Sequence, residues 1–329
     1  RATEMRRTLF SVIAAAILAM PAAPPLAAHP YQGRSGGSDQ SERFSRRVRV
    51  SPDGRVSISN ISGDIVVTAA SGNEVSIEAV KRGRDRGQLQ TVHIDVEERG
   101  GSVFVHTTHT ARNDRVSVDY TIAMPASAAI EVHSVSGNVK VTGVHGAARG
   151  ETISGDVTMA DTPRLEMAKS VSGNVTLGGV ATDGDLSAAS VSGNLVGKSI
   201  KAHALELGSV SGDVRLTDVS CDRLAAKSIS GTVEYSGTIT KGGSYEVNAH
   251  SGDIRLTLAN PAGFVLNANS FSGSIRSDLP LTIGGDSSTR GRPGRRTGLS
   301  NHSMTATYGD GSATLTLRTF SGDIIISKR

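Results

Sequence analysis

The sequence predicts an all-β protein: a single-stranded β-solenoid, β-helix-like and by default right-handed, with about 18–21 residues per coil and an N-terminal β cap. Three observations predict it. A Ser-Gly phrase recurs with its glycines at Gly137, Gly155, Gly173, Gly193, Gly212, Gly231, Gly252 and Gly273, in steps of 18, 18, 20, 19, 19, 21 and 21 residues. A near-constant period of this length marks stacked repeats. Apolar residues around each phrase alternate with polar ones, the period of a strand with one buried face. The 329 residues include 38 Gly, no Trp and 3% aromatics, a composition suited to small side chains at tight corners.

Residues 1–28 read as a secretory signal, with Arg6-Arg7 as the positive region, Leu9–Met20 as the apolar region and Ala27-Ala28 at the cut. A mature chain would then contain no transmembrane span, because no second apolar run follows. Residues 29–47, polar and rich in Gly, Ser and Arg, read as a flexible linker. Residues 48–329 form the expected solenoid domain. Its first part, 48–124, holds one early coil around Gly63, followed by strand-like runs at 74–80, 91–96, 102–108 and 115–123 that would cap the open end.

Regular repeats occupy residues 125–283. With each phrase glycine as position zero, the apolar columns are −7 (Ile130, Ala148, Glu166, Leu186), −5 (Val132, Gly150, Ala168, Ala188), +2 (Val139, Val157, Val175, Leu195) and +4 (Val141, Met159, Leu177, Gly197). A further apolar column at −2 (Val135, Ile153, Val171, Val191) is in phase with +2 and +4, and not with −7 and −5. That change of parity predicts a bend between −3 and the glycine, since a strand cannot switch faces without one. Neighbouring coils would stack about 4.8 Å apart and span roughly 40 Å over eight repeats. Residues 284–300, with Arg290, Arg292, Arg295 and Arg296 among Gly, Ser and Thr, read as a mobile loop. Residues 301–329 read as a hairpin about Gly309-Asp310-Gly311, then a last coil at Gly322.

The formal net charge is +4, of which +2 lies in residues 1–28, so the chain has no nucleic-acid signature. Cys221 is the sole cysteine and cannot form an internal disulfide. No phosphate loop, nucleophile elbow, Ca²⁺-binding nonapeptide or cysteine zinc motif occurs, and no cofactor or metal site is expected. His106 and His109 lack the Glu and helix of a zinc protease, although His93 could meet them across strands. Glu131, His133, Arg149 and Glu151 fall on adjoining coils as an acidic-basic cluster, which a solvated ion-pair surface explains equally well. The scarcity of aromatics argues against a sugar-stacking platform. Surface binding candidates are the residues after the glycine, Asn138, Asp156, Asn174, Asn194, Asp213 and Asp253, in which no two consecutive repeats carry a carboxylate. Two carboxylates at the stacking distance would repel by about 1 kcal/mol even in water. The four arginines of 284–300 are the other candidates, as a patch for an anionic lipid or polysaccharide.

The run of Ser-Val-Ser-Gly-Asn/Asp-Val phrases, with Val118–Pro125 before it and Thr319–Ile324 closing it, resembles the bacterial family of exported β-strand-repeat proteins described as putative adhesins, a domain of unknown function. The resemblance covers about residues 48–329 and assigns no catalytic residue. It implies a non-enzymatic binding scaffold in the periplasm or at the cell surface, with cell-wall or surface polysaccharide, or another envelope protein, as partner. The alternatives are a β-helix carbohydrate-active enzyme, a lyase or hydrolase, which needs carboxylates converging in a groove, and an accessory protein of envelope-stress signalling.

Overall fold

The computed structural model describes residues 40–51, 53–110, 115–283 and 303–329. The signal, most of the linker and the arginine loop, with Arg290, Arg292, Arg295 and Arg296, lie outside the described residues. What is described is all-β apart from one helical turn, Arg86–Leu89, whose N-cap Asp85 accepts a hydrogen bond from the Gln88 amide. Each repeat contributes one strand before its glycine and one after it, as in Leu165–Ser172 and Val175–Ala181. The strands pair in parallel with the same positions of the neighbouring coil: Val157 faces both Val139 and Val175. Two long ladders result, joined at each glycine, with a third short ladder in the middle coils through Val180, Ile200 and Val219.

The glycine is where the chain turns from one ladder into the other. The nine corner glycines from Gly137 to Gly322 have φ between +144° and +158°, and a Cβ on any of them would overlap the carbonyl of the glycine one coil away, while Gly63, at +110°, lies against the Val118 carbonyl. The alternation is lost between −3 and the glycine, where the parity predicts a bend, and the positive-φ glycine completes the turn. The strand before it alternates as far as −3, which points inward, and then −2 and −1 both face outward. Positions −7, −5, +2 and +4 line the core as expected, with Val139, Val157, Val175, Leu205 and Leu207 at or below 1% exposure. Glu166 is the exception in the −7 column. A register shift beside Ala148 places Leu165 there, fully buried, and Glu166 pairs outside with Arg149 at 2.7 Å.

Stacking order departs from sequence order at both ends. Strands Ser102–His109 and Ser117–Pro125 lie outside the Gly63 coil, pairing with Arg55–Ser62 and Ile65–Ala70. Antiparallel strands then close this end: Val92–Arg99 on one ladder, Glu74–Gly83 and Gln40–Arg49 on the other. Residues 40–47, read as linker, are thus part of an edge strand. Its outward side is charged and only Phe44 and Val48 turn toward the core, a pattern that suits an edge and hides it in the sequence.

At the other end the expected hairpin does not form. Ser303–Tyr308 and Ala313–Ser321 pair with opposite sides of Phe264–Ser272, one antiparallel and one parallel, and the connection arches over Gly263. The Gly322 coil is consequently not the last in space. Strands Ala313–Ser321 and Ile324–Lys328 lie between the Gly252 coil and the Gly273 coil, hydrogen-bonded to both.

Candidate functional site

The corner edge gathers every sequence-predicted binding residue that lies among the described ones. Three columns run along it. Innermost is position −3, a row of buried hydroxyls: Thr152, Ser170, Ser190, Ser209, Ser228, Thr319 and Ser270. Each donates to the carbonyl of the corner glycine one coil away, at 2.8–3.3 Å. The corner carbonyl has turned out of the strand ladder, and a buried unpaired acceptor would cost about 1–3 kcal/mol. Ser134 is the odd member. Its hydroxyl has no partner because Asn60 Nδ2 already occupies the Gly63 carbonyl at 3.1 Å.

Next is position +1, the Asn/Asp column. The side-chain Oδ1 of each member accepts the +1 amide of the next coil at 2.7–2.9 Å: Asp64 from Asn138, Asn138 from Asp156, Asp156 from Asn174, Asn174 from Asn194, Asn194 from Asp213. Asn and Asp serve alike because only an acceptor oxygen is required. Spatial order then corrects the spacing read from the sequence. With the Gly322 coil inserted, Asp323 donates its amide to Asp253 Oδ1 at 2.9 Å, so two carboxylates do stack. Arg255 offsets the charge by binding Asp253 Oδ2 at 2.8 Å. Hydrogen bonds from the Ser274 amide and hydroxyl, helped by the charge of Arg276, hold the Asp323 carboxyl below the ordinary Asp range. Asp119 and Asp64 repeat the arrangement at the opposite end, where Arg82 binds Asp119.

The third column, −2, is exposed and apolar. Ile61, Val135, Ile153, Val171, Ile229, Phe320 and Phe271 are 40–69% exposed, and Val191 and Val210 are half-buried between them. His250 continues the row, stacked on Phe320 at 5.1 Å, and Phe320 stacks on Phe271 at 4.7 Å. The composition is poor in aromatics, but the insertion of the Gly322 coil brings these three rings together. Nothing in the local sequence signals that.

Other candidates are less organised. His133 Nε2 lies 3.3 Å from Glu131 and its Nδ1 3.5 Å from Glu151, while Arg149 turns away to Glu166. His106 and His93 face Asp95 and Thr108 on paired strands, and the described residues contain no group of three metal-ligating side chains. A shallow pocket of about 190 Å³ on the third face is lined by Thr182, Asp183, Lys201, His203, Ser220 and Asp222. His203 Nδ1 meets Asp222 at 3.0 Å, but the Arg223 guanidinium lies 3.5 Å from Nε2, the nitrogen a general base would need. A +10 column containing Asp183, His203 and Asp222 would have located this pocket from the sequence. Beneath it Cys221 is 2% exposed, and burial pushes its thiol up to about 12.

Residues 54–327 match the Toastrack DUF4097 family. The chain belongs to that family. Among solved structures it is similar to a putative adhesin from Bacteroides fragilis, 14% identical with a TM-score of 0.41, covering 88% of this chain and 97% of the other. A putative cell adhesion protein from Clostridium sporogenes is 10% identical, with a TM-score of 0.25 and coverage of 88% and 100%. A putative lipid binding protein from Parabacteroides distasonis is 12% identical, with a TM-score of 0.32 and coverage of 87% and 96%. Likeness at these values transfers no residue role to this Toastrack chain. No curated protein matches it.

Proposed function

We propose that this Toastrack protein is a non-enzymatic, exported cell-envelope scaffold of adhesin type. The same reading takes residues 1–28 as its export signal and its winding as right-handed, with one coil per roughly 18–21 residues. One observation carries the proposal. The +1 column presents an exposed Asn or Asp on successive coils, each fixed by a backbone hydrogen bond to its neighbour. A row of rigid amide and carboxylate groups at strand spacing suits a polymer with its own repeat of hydroxyls or amides, such as a cell-wall or surface polysaccharide. The strand-like face of another envelope protein is the other partner it fits. Ordering cost is low, because the row is already held in place before a partner arrives.

The test is retention of the purified chain on intact cells and on cell-wall fractions, beside a variant lacking 284–300 and a variant carrying Asn138→Ala, Asn174→Ala and Asn194→Ala. Weaker retention of the triple variant supports the reading, and undiminished retention removes the column from it. Reproducible cleavage of an acidic polysaccharide by the purified protein would favour a β-helix enzyme instead.

A further inference from the structure

We propose that the exposed apolar ridge at −2 is a self-association surface, on which a second copy of this chain docks in parallel about a two-fold axis running along the rod. This goes beyond the binding reading above and rests on other observations, although the dimer brings the +1 column to the rim of its interface, where a second copy and a polymer would compete for it.

Area gives the first argument. Five aliphatic and two aromatic side chains at 40–69% exposure present on the order of 700 Å² of apolar surface in one row, taking roughly 150–250 Å² for an aromatic residue and the lower end of that range for Val and Ile. Monomeric proteins rarely leave a patch of that size uncovered. It is close to the roughly 800 Å² that each partner contributes to a standard stable interface. The ridge is also placed for contact, because the hydroxyls beside it at −3 are buried and bonded internally and do not hold a water layer over it.

Spacing decides between occupants. The ridge carries one side chain per coil, so its period is the interstrand distance of about 4.8 Å. An extended peptide presents same-side residues about 6.6–6.8 Å apart, and a helix repeats every 5.4 Å. Either loses register within a few coils. A second stack of coils has the same period along its whole length, so its side chains fit between those of the first from Ile61 to Phe271.

Charge sets the direction. Beyond the exposed serines at −1, one flank is the +1 column with Asp64, Asp156, Asp213, Asp253 and Asp323. The other flank, position −4, carries Lys169, Lys227 and Arg318, with Glu151 as its carboxylate, beside His133 Nδ1 at 3.5 Å. Arg255 and Arg276 moderate the acidic flank at its far end. A two-fold axis along the rod lays the acidic flank of one copy against the basic flank of the other. An axis across the rod opposes acid to acid, which is unfavourable. The same acidic row disfavours docking on an anionic bilayer. A closed two-fold arrangement ends at the dimer and does not propagate.

Sedimentation equilibrium of the purified chain, up to about 100 µM, reads the outcome. The expected result is a dimer, with Val171→Lys plus Ile229→Lys weakening it at least 100-fold while the circular dichroism spectrum is unchanged. Both positions are exposed, so the coil should survive them. Val135→Cys and Phe320→Cys, each adding one exposed cysteine, report direction, the native Cys221 being buried. In the parallel dimer each variant forms disulfide-linked dimers with itself. Cross-links that appear only when the two variants are mixed would overturn the parallel arrangement. A monomeric wild type, or association that the lysines leave intact, would overturn the surface altogether. So would flotation of a monomer with phosphatidylglycerol vesicles that the lysine pair abolishes, which would make the ridge a lipid contact.

Discussion

Replacing Gly173 with alanine tests the corner more directly than any core substitution. Gly173 has φ +153°, where an L side chain is strained by about 1–3 kcal/mol, and its new Cβ would fall on the Gly155 carbonyl oxygen. Relieving that overlap means moving two coils apart locally, an overpacking cost of about 1–3 kcal/mol. The shift also strains the Ser170 hydroxyl bond to Gly155 at 2.8 Å and the Asn174 amide bond to Asp156 at 2.7 Å, each contributing about 0.5–1.5 kcal/mol. Together these give a loss of about 3–9 kcal/mol, the upper end applying if both bonds are lost. The control is Gly208→Ala, a glycine inside a strand whose added Cβ meets nothing within 4 Å. Strand interiors gain about 0.5–1 kcal/mol when glycine is replaced, so this variant should be neutral or slightly more stable. Urea unfolding followed by circular dichroism measures both. If the two variants lie within about 1 kcal/mol of each other, the corner geometry is not what holds the coils in place, and the reasoning fails.

Four further outcomes follow. Ser170→Ala should cost about 1–2 kcal/mol, because it leaves the Gly155 carbonyl without its partner, whereas Ser134→Ala should be neutral since that hydroxyl bonds nothing; equal urea midpoints for the two would count against the hydroxyl column. Asn174→Asp places a carboxylate against Asp156 with no arginine bridging the pair, and should lower the melting temperature in low salt with partial recovery in high salt. Asp323 and Glu234 both titrate below their ordinary ranges, Asp323 through hydrogen bonds from Ser274 and Glu234 through its hydrogen bond from Arg215. A depressed folded pKa contributes stability above the unfolded value of about 4, and that contribution disappears as pH falls through the folded value. Melting temperatures should therefore decline below about pH 4, and less steeply for Glu234→Gln. Cys221 should resist iodoacetamide at pH 8 in the native protein and react once urea is added, given its burial and raised pKa.

Much of the architecture is legible in the sequence because each core column repeats a local rule. Val139, Val157 and Val175 alternate with polar neighbours, and the glycine that follows Ser172 needs positive φ. The Asn/Asp column was equally visible, although its chemistry, an Oδ1 that caps the next coil's amide, required coordinates. Two features were hidden for physical reasons. Period-two alternation gives the relative phase of residues but not which way a residue inside the bend faces, so Val135 and Ile153 looked like core partners of Val139 and Val157 while the fold turns them to solvent. Stacking order is hidden because every coil presents the same kind of ladder edge. Thr319–Ile324 carries the same phrase as the other repeats, and only the distant pairings of Ala313–Ser321 reveal where it inserts.

That insertion has a consequence for biogenesis. For a chain exported as proposed above, emerging N-terminus first from translocation, coils from Gly137 to Gly252 can add one upon another, each finding its template already formed. Residues 264–277 emerge next and have no surface to join, since their neighbour is the strand pair 313–328, still to emerge. The sequential growth characteristic of a repeat array is suspended for this segment. Its strand edge stays uncovered until the later residues slide in beside it. A chain truncated at residue 300 should thus yield a protease-resistant core ending close to Leu258.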